Sequence, residues 1–222
     1  MVENKRLKYT TYLAGAIEAV SSKEMKTWRQ EITEKLASPD LGIYDPVSQE
    51  ANKVGKEAGK QVDYISGLKQ GGHWDIFSEE MNKIWWGKID TTKLDKIRLL
   101  IYLQEKARLE GNYLTDFCFW ADYEATVRSD FVICYFPKDV KTVGTLNELH
   151  ICYLFNIPIY LILPDCSKTE ANSTLINEVI ESKGEIFYSI KECIDFIKNK
   201  YKLKEIKEDP REEKKEEKKD GI

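Results

Sequence analysis

Glu148 is the residue whose type and position in this chain speak most directly of chemistry. Ser129 to Phe136 is a short run rich in β-branched and aromatic residues. Leu146 to Phe155 repeats its apolar residues at helical spacing, and Ile157 to Leu163 is a second apolar run. Together they read as strand, helix and strand. Strands buried on both faces imply a parallel sheet, and ligands of open parallel sheets sit beyond the carboxyl ends of the strands. The loop Pro137 to Thr145 falls there, so Glu148 enters the helix beside the expected pocket. A carboxylate in the first helical turn feels the positive end of the helix dipole, which favours its ionised form and suits a nucleophile or electrostatic stabiliser. The plainer reading is a capping box: Gly144 frees the backbone for a tight turn, Thr145 is the N-cap, and Glu148 follows three residues later. Ser167 to Glu170 repeats that pattern, so spacing alone favours the cap.

A nucleophilic carboxylate needs a second, differently placed carboxyl to supply a proton. Asp116, Asp122, Glu124 and Asp130 all stand in the segment before the strand, and spacing does not choose among them. Asp122 lies in a helix expected over Thr115 to Arg128, beside Trp120 and Tyr123, whose rings could desolvate a carboxyl or stack on a flat ligand. Its plainer reading is a solvated helix residue. Asp130 reads as structural, because an acid opening a strand often binds backbone amides in the connection.

Upstream, Ala14, Gly15 and Ala16 close a first strand expected over Tyr9 to Ala14, and their small size lets a ligand approach the backbone. No GxGxxG or GxxxxGK[ST] occurs, so dinucleotide and P-loop readings lack their glycine spacing. Asp45 ends a second strand at Gly42 to Asp45, on the pocket side, although forming the turn before Pro46 is its plainer role.

Three separated segments resemble the nucleoside 2-deoxyribosyltransferase-like family, including its relatives that hydrolyse deoxynucleotides at the N-glycosidic bond. The first is Thr11 to Glu18 with Trp28-Arg29 and Tyr44-Asp45-Pro46; the second is Asp122 with Ser129-Asp130; the third is Val143 to Glu148. The resemblance implies a retaining double displacement on a deoxyribosyl group. Glu148 matches the nucleophile that attacks the anomeric carbon, Tyr12 the tyrosine that holds this carboxylate, and Asp122 the acid that handles the proton of the departing base. Breaking the bond puts positive charge on the sugar and negative charge on the base, which one ionised carboxylate and one proton donor address. Gln49 is expected to contact a base by the same analogy, with turn formation as its plainer reading. Without the resemblance, Tyr12 would read equally well as a core strand aromatic.

One departure concerns the 5′ end. Family members acting on free nucleosides usually carry an acid six positions before the nucleophile, to grip a sugar hydroxyl; here that place is Thr142, flanked by Lys138 and Lys141. Hydroxyls, lysines and a helix N-terminus would welcome a 5′-phosphate, although solvated loop lysines are the plainer reading. Asp139 could replace the missing acid by another loop path. His150 stands where the family commonly has glycine.

The chain has 222 residues, 42% of them hydrophobic, and a formal net charge of −4, enough for one substantial core and without the basic stripe of a polymer binder. Free nucleoside or nucleotide, with a free nucleobase as possible acceptor, fits better than nucleic acid polymer. Five cysteines without CxxC spacing and two histidines suggest reduced thiols in a cytoplasmic protein and no metal site. No cofactor is expected. The N-terminus lacks a signal-like apolar stretch and no segment reaches membrane-spanning length, so no membrane partner is expected.

The remaining pattern places helices at Ser22 to Leu36, Thr92 to Leu109, Asn172 to Lys183 and Ile190 to Lys200, and a fifth strand at Glu185 to Tyr188. The prediction is an α/β fold, a flavodoxin-like doubly wound five-stranded parallel sheet, forming one domain over residues 1–206. A helical insertion at about 47–111 follows strand two, and a charged disordered tail occupies 207–222. Three tryptophans of the insertion, Trp74, Trp85 and Trp86, are expected to pack it onto the core, ahead of roles in a lid or subunit interface. A homo-oligomer is expected by the resemblance. The leading functional expectation is cleavage of the N-glycosidic bond of a 2′-deoxynucleoside or its 5′-monophosphate. The alternatives are a nucleotide-sensing module without turnover and an NAD-type glycohydrolase.

Overall fold

A computed structural model describes residues 5–17, 22–48, 58–87, 89, 95–113, 120–138, 143–164 and 172–204. Strands β1 (Tyr9–Gly15), β2 (Leu41–Tyr44), β3 (Phe131–Tyr135), β4 (Ile159–Ile162) and β5 (Glu185–Phe187) pair in parallel in the order β2-β1-β3-β4-β5. This is the flavodoxin-like doubly wound arrangement, whose strand order reverses between β1 and β3. The Gly15 end of β1 is in register with Tyr135 at the end of β3, so the two strands finish together at that switch point.

Alternation along each strand sends side chains to two faces, and both faces are covered. On one face Tyr12, Ala14, Tyr44, Val132, Cys134 and Leu161 pack with Leu149 and Cys152 of α6 (Val143–Leu154) and Leu175 and Val179 of α7 (Ser173–Glu181). On the other, Leu13, Phe131, Ile133 and Tyr160 meet Trp28, Ile32 and Leu36 from and just beyond α1 (Ser22–Lys35), and Cys193, Ile194 and Ile197 of α8 (Ile190–Tyr201). Tyr12 is thus directed at the helix that carries Glu148.

Between β2 and β3 the chain forms α2 (Ala58–Gln70), α3 (Trp74–Trp86), α4 (Lys96–Glu110) and α5 (Asp122–Arg128). The tryptophans of this segment separate. Trp86 is buried with Leu99, Leu100, Leu103 and Val127, Trp85 stacks on Tyr123 at 5.7 Å between ring centres, and Trp74 is 61% exposed. Two therefore pack as expected and Trp74 does not. Helix α4 starts at Lys96, later than expected, with the Asp95 side chain accepting from the Ile97 amide. Its inner face is also shifted. Leu99, Leu100 and Leu103 are buried, whereas Ile97 and Ile101, expected on that face, are exposed. The stripe 99, 100, 103 leaves positions 97 and 101 on the outside of the helix. Gly111 ends α4 at φ +81°.

Asp130 has a structural role at the amino end of β1. Its Oδ2 accepts from the Thr10 amide at 2.7 Å and the Thr10 hydroxyl at 3.0 Å, and Asn112 links Thr10 to Arg128. The thiols of Cys134, Cys152 and Cys193 are free and buried. Among the described residues no helix is long and apolar enough to cross a membrane. Cys118, Cys166 and the charged tail lie outside the described residues.

The turn into β5 requires a glycine. A Cβ at Gly184 would fall 2.8 Å from the Ile159 carbonyl carbon and closer still to its oxygen, and this backbone is held in the sheet. Gly184→Ala is expected to cost about 3 kcal/mol, read as a lower denaturant midpoint with an unchanged slope. Wild-type stability in this variant would contradict that packing.

Candidate active site

A cleft with about 710 Å³ of empty space, part of it open to solvent, lies beyond the ends of β1 and β3. The position is the one an open parallel sheet offers a ligand. Gly15 closes β1, Val143, Gly144, Thr145 and Glu148 contribute the start of α6, and Asp122 begins α5. Gln61 and Val62 from α2 and Met81, Ile84 and Trp85 from α3 line it as well. The segment between β2 and β3 therefore forms one side of the cleft.

Glu148 is buried, and the Tyr12 hydroxyl donates to its Oε1 at 2.6 Å. Burial, then the neighbouring carboxyls of Asp122 and Glu148, hold the Tyr12 phenol well above its ordinary value of 10.0, so it remains a donor at neutral pH. The same burial and the same two acids push Tyr123 up to about 12. Both carboxyl groups are thus electrostatically felt from one place. A hydrogen bond to one oxygen orients the carboxylate.

Behind β1 lies a buried cation. Arg29 is 1% exposed, donates to the Gly15 carbonyl at 2.9 Å, stands 3.3 Å from Asp45 Oδ1 and covers the Trp28 ring at 4.3 Å. Burial lowers its pKa, while Asp45 first and then Tyr12 and Glu148 support the charged form. Asp45 also accepts from the Val47 amide at 3.0 Å. Its place is in this pair and in the turn, and it is not among the cleft-lining residues. Gly15 has a packing reason beside its place in the cleft: a Cβ there would fall 2.6 Å from the Trp28 ring.

Several expectations are corrected. Trp120 is buried in the core beside Tyr44 and Arg128, with the Tyr44 ring centre at 6.4 Å and the guanidinium over its ring at 4.3 Å. It is not among the residues that line this cleft, so it is no stacking platform there. Helix α6 starts by Val143, two residues before the expected N-cap, so Thr145 lies inside its first turn and is buried there. Glu148 is directed to Tyr12, and the capping-box pattern describes spacing alone. Gly144 lacks a positive φ; it lies in the same turn, with open space where a Cβ would stand. His150 points away from the cleft and meets Glu178 Oε1 at 2.8 Å. Gln49, Asp139, Lys141 and Thr142 lie outside the described residues.

Sequence reasoning gave no role to Arg29 or Gln61. Arg29 interrupts the apolar stripe of Trp28, Ile32 and Leu36, and a charge on such a stripe is a signal of burial with a partner. Gln61 had no such signal. It is 3% exposed, and among the described residues neither its amide nitrogen nor its oxygen has a hydrogen-bond partner, at a cost of about 1–3 kcal/mol for a buried polar group. Among the described residues, no group of three or more His, Cys, Asp and Glu could hold a metal ion.

Two neighbouring tyrosines separate a charged acceptor from a neutral one. Tyr12 donates to the Glu148 carboxylate, and Tyr44 donates to the Trp120 carbonyl at 2.6 Å. Tyr12→Phe is expected to cost about 2–3 kcal/mol and Tyr44→Phe about 1 kcal/mol. Chemical denaturation of the two variants measures the difference, and equal losses would show that Glu148 gains nothing special from Tyr12.

No protein-family model matches the chain and no curated protein matches it.

Proposed function

We propose that this chain cleaves the N-glycosidic bond of a 2′-deoxynucleoside or its 5′-monophosphate, passing the deoxyribosyl group to another base or to water. The observation that carries the reading is the carboxylate of Glu148, held by Tyr12 at 2.6 Å, in a cleft that Asp122 also lines. Paired carboxyls at a cleft are the minimum apparatus for a retaining displacement at an anomeric carbon.

In the first half-reaction a carboxylate oxygen of Glu148 attacks C1′, the C1′–N bond breaks with its electron pair leaving on the base, and Asp122 delivers a proton to that base. The product is a glycosyl ester of Glu148. In the second, a base nitrogen or water attacks C1′, loses a proton to Asp122, and releases the Glu148 carboxylate. Tyr12 fixes the attacking group so that little reorganisation accompanies bond formation. The apolar wall of Met81, Ile84 and Trp85 limits water around the intermediate and gives a base a flat surface.

His150, which stands where glycine is common in the family the chain resembles, has its ring engaged with Glu178. That substitution gives no reason for lost turnover.

The test incubates the full chain with deoxynucleosides, their 5′-monophosphates, the ribose counterparts and NAD, with and without an added free base, and separates the products by chromatography. Base release from deoxyribose substrates is expected; release only from ribose substrates or NAD, or tight binding with no release over hours, would reject the proposal. Glu148→Gln keeps an acceptor for Tyr12 and removes the anion. It is expected to fold with an unchanged or raised Tm and to lose about 10³-fold or more in base release. Asp122→Asn is expected to lose about 10²–10⁴-fold. Full activity in the Glu148 variant would remove the nucleophile assignment.

A further inference from the structure

We infer that Gln61 is the specificity-determining residue of this cleft, reading a planar heterocycle through an edge on which a hydrogen-bond donor and acceptor stand side by side. Two observations carry this inference. Gln61 lines the same cleft as Glu148 and Asp122, and among the described residues both polar atoms of its buried amide lack a hydrogen-bond partner. A native fold retains an unsatisfied buried amide where a ligand or another function compensates for it. The amide has one acceptor and a two-proton donor in one plane. It therefore matches neighbouring donor and acceptor groups such as the N6–H and N7 of adenine, the pairing for which glutamine is suited geometrically. A change of side-chain rotamer brings the amide of a cleft-lining residue to such an edge.

The placement agrees with the chemistry around it. Gln61 belongs to α2, on the wall formed with Met81, Ile84 and Trp85, whereas Glu148 and Asp122 approach from α6 and α5. A ligand spanning the cleft presents its flat ring to the apolar wall and amide, and its reacting carbon to the carboxylates. The inference rests on the proposed glycosidic reading for the identity of the heterocycle as the leaving base, but the recognition itself does not require turnover.

The test uses the full chain and three forms of position 61, with calorimetry of adenine, guanine, cytosine and thymine and of their deoxynucleoside monophosphates alongside base release. Gln61→Met preserves the length of the side chain and removes its polar atoms. It is expected to raise Tm or leave it unchanged, since no intramolecular hydrogen bond is lost, while weakening binding of the preferred base about 10- to 100-fold. Gln61→Glu offers acceptors only, and is expected to shift preference towards guanine, whose N1–H and N2–H groups form a double donor. Unchanged affinity and unchanged base preference in both variants would overturn the role of Gln61. If the native chain releases bases and Gln61→Met releases them equally well, this inference fails and the glycosidic proposal stands. If the native chain binds a base in a Gln61-dependent way but releases none, recognition stands and the cleavage proposal fails. If it binds no base or nucleotide, both fail.

Discussion

Burying a carboxylate at the junction of a strand and a helix is the constraint around which this structure is arranged. An ionised group removed from water is costly unless donors and opposite charge answer it. Here the Tyr12 hydroxyl meets Glu148 directly, and the Arg29 guanidinium lies behind the same strand. Those two residues occupy opposite sides of the sheet. Tyr12 faces α6 from β1, while Arg29 comes from α1 on the other layer and reaches the strand end through the Gly15 carbonyl. The carboxylate therefore depends on both layers. An error in strand register would turn Tyr12 away from α6 and into the other core.

The same arrangement explains why the cleft lies where it does. Parallel strands that wind in opposite directions from β1 and β3 leave a gap at their carboxyl ends. Gly15 lets Trp28 pack close beneath that gap, with the Trp28 ring stacked on Tyr135 at 5.2 Å. The start of α6 borders it, and α2 and α3 supply the wall that the sheet cannot. Apolar side chains and carboxyls both line the cleft, the combination that a ligand with a flat apolar part and a polar reacting part requires.

The sheet was readable because its strands are buried on both faces and appear as uninterrupted apolar runs, as from Phe131 to Tyr135 and from Ile159 to Ile162. Helix edges were harder. Thr145 to Glu148 has the spacing of a capping box, and only the position of Tyr12 shows that the carboxylate is directed elsewhere. Ile97 and Ile101 mimic an inner face because local spacing does not reveal which side of α4 meets Trp86 and Val127. Trp120 reads in the sequence as a ligand platform because an aromatic residue beside an acid has the same local appearance in a core and in a pocket. Gln61 left no trace in the periodicity. An unpaired amide is recognised only after every possible partner has been placed.

Trp85 brings an optical consequence. Its indole is stacked on Tyr123 while forming part of the cleft wall, so a fluorophore belonging to the chain itself stands where a ligand would arrive. An aromatic ring laid against that indole would alter its emission through the stacking contact. Occupancy of the cleft can therefore be followed by intrinsic fluorescence without attaching a dye.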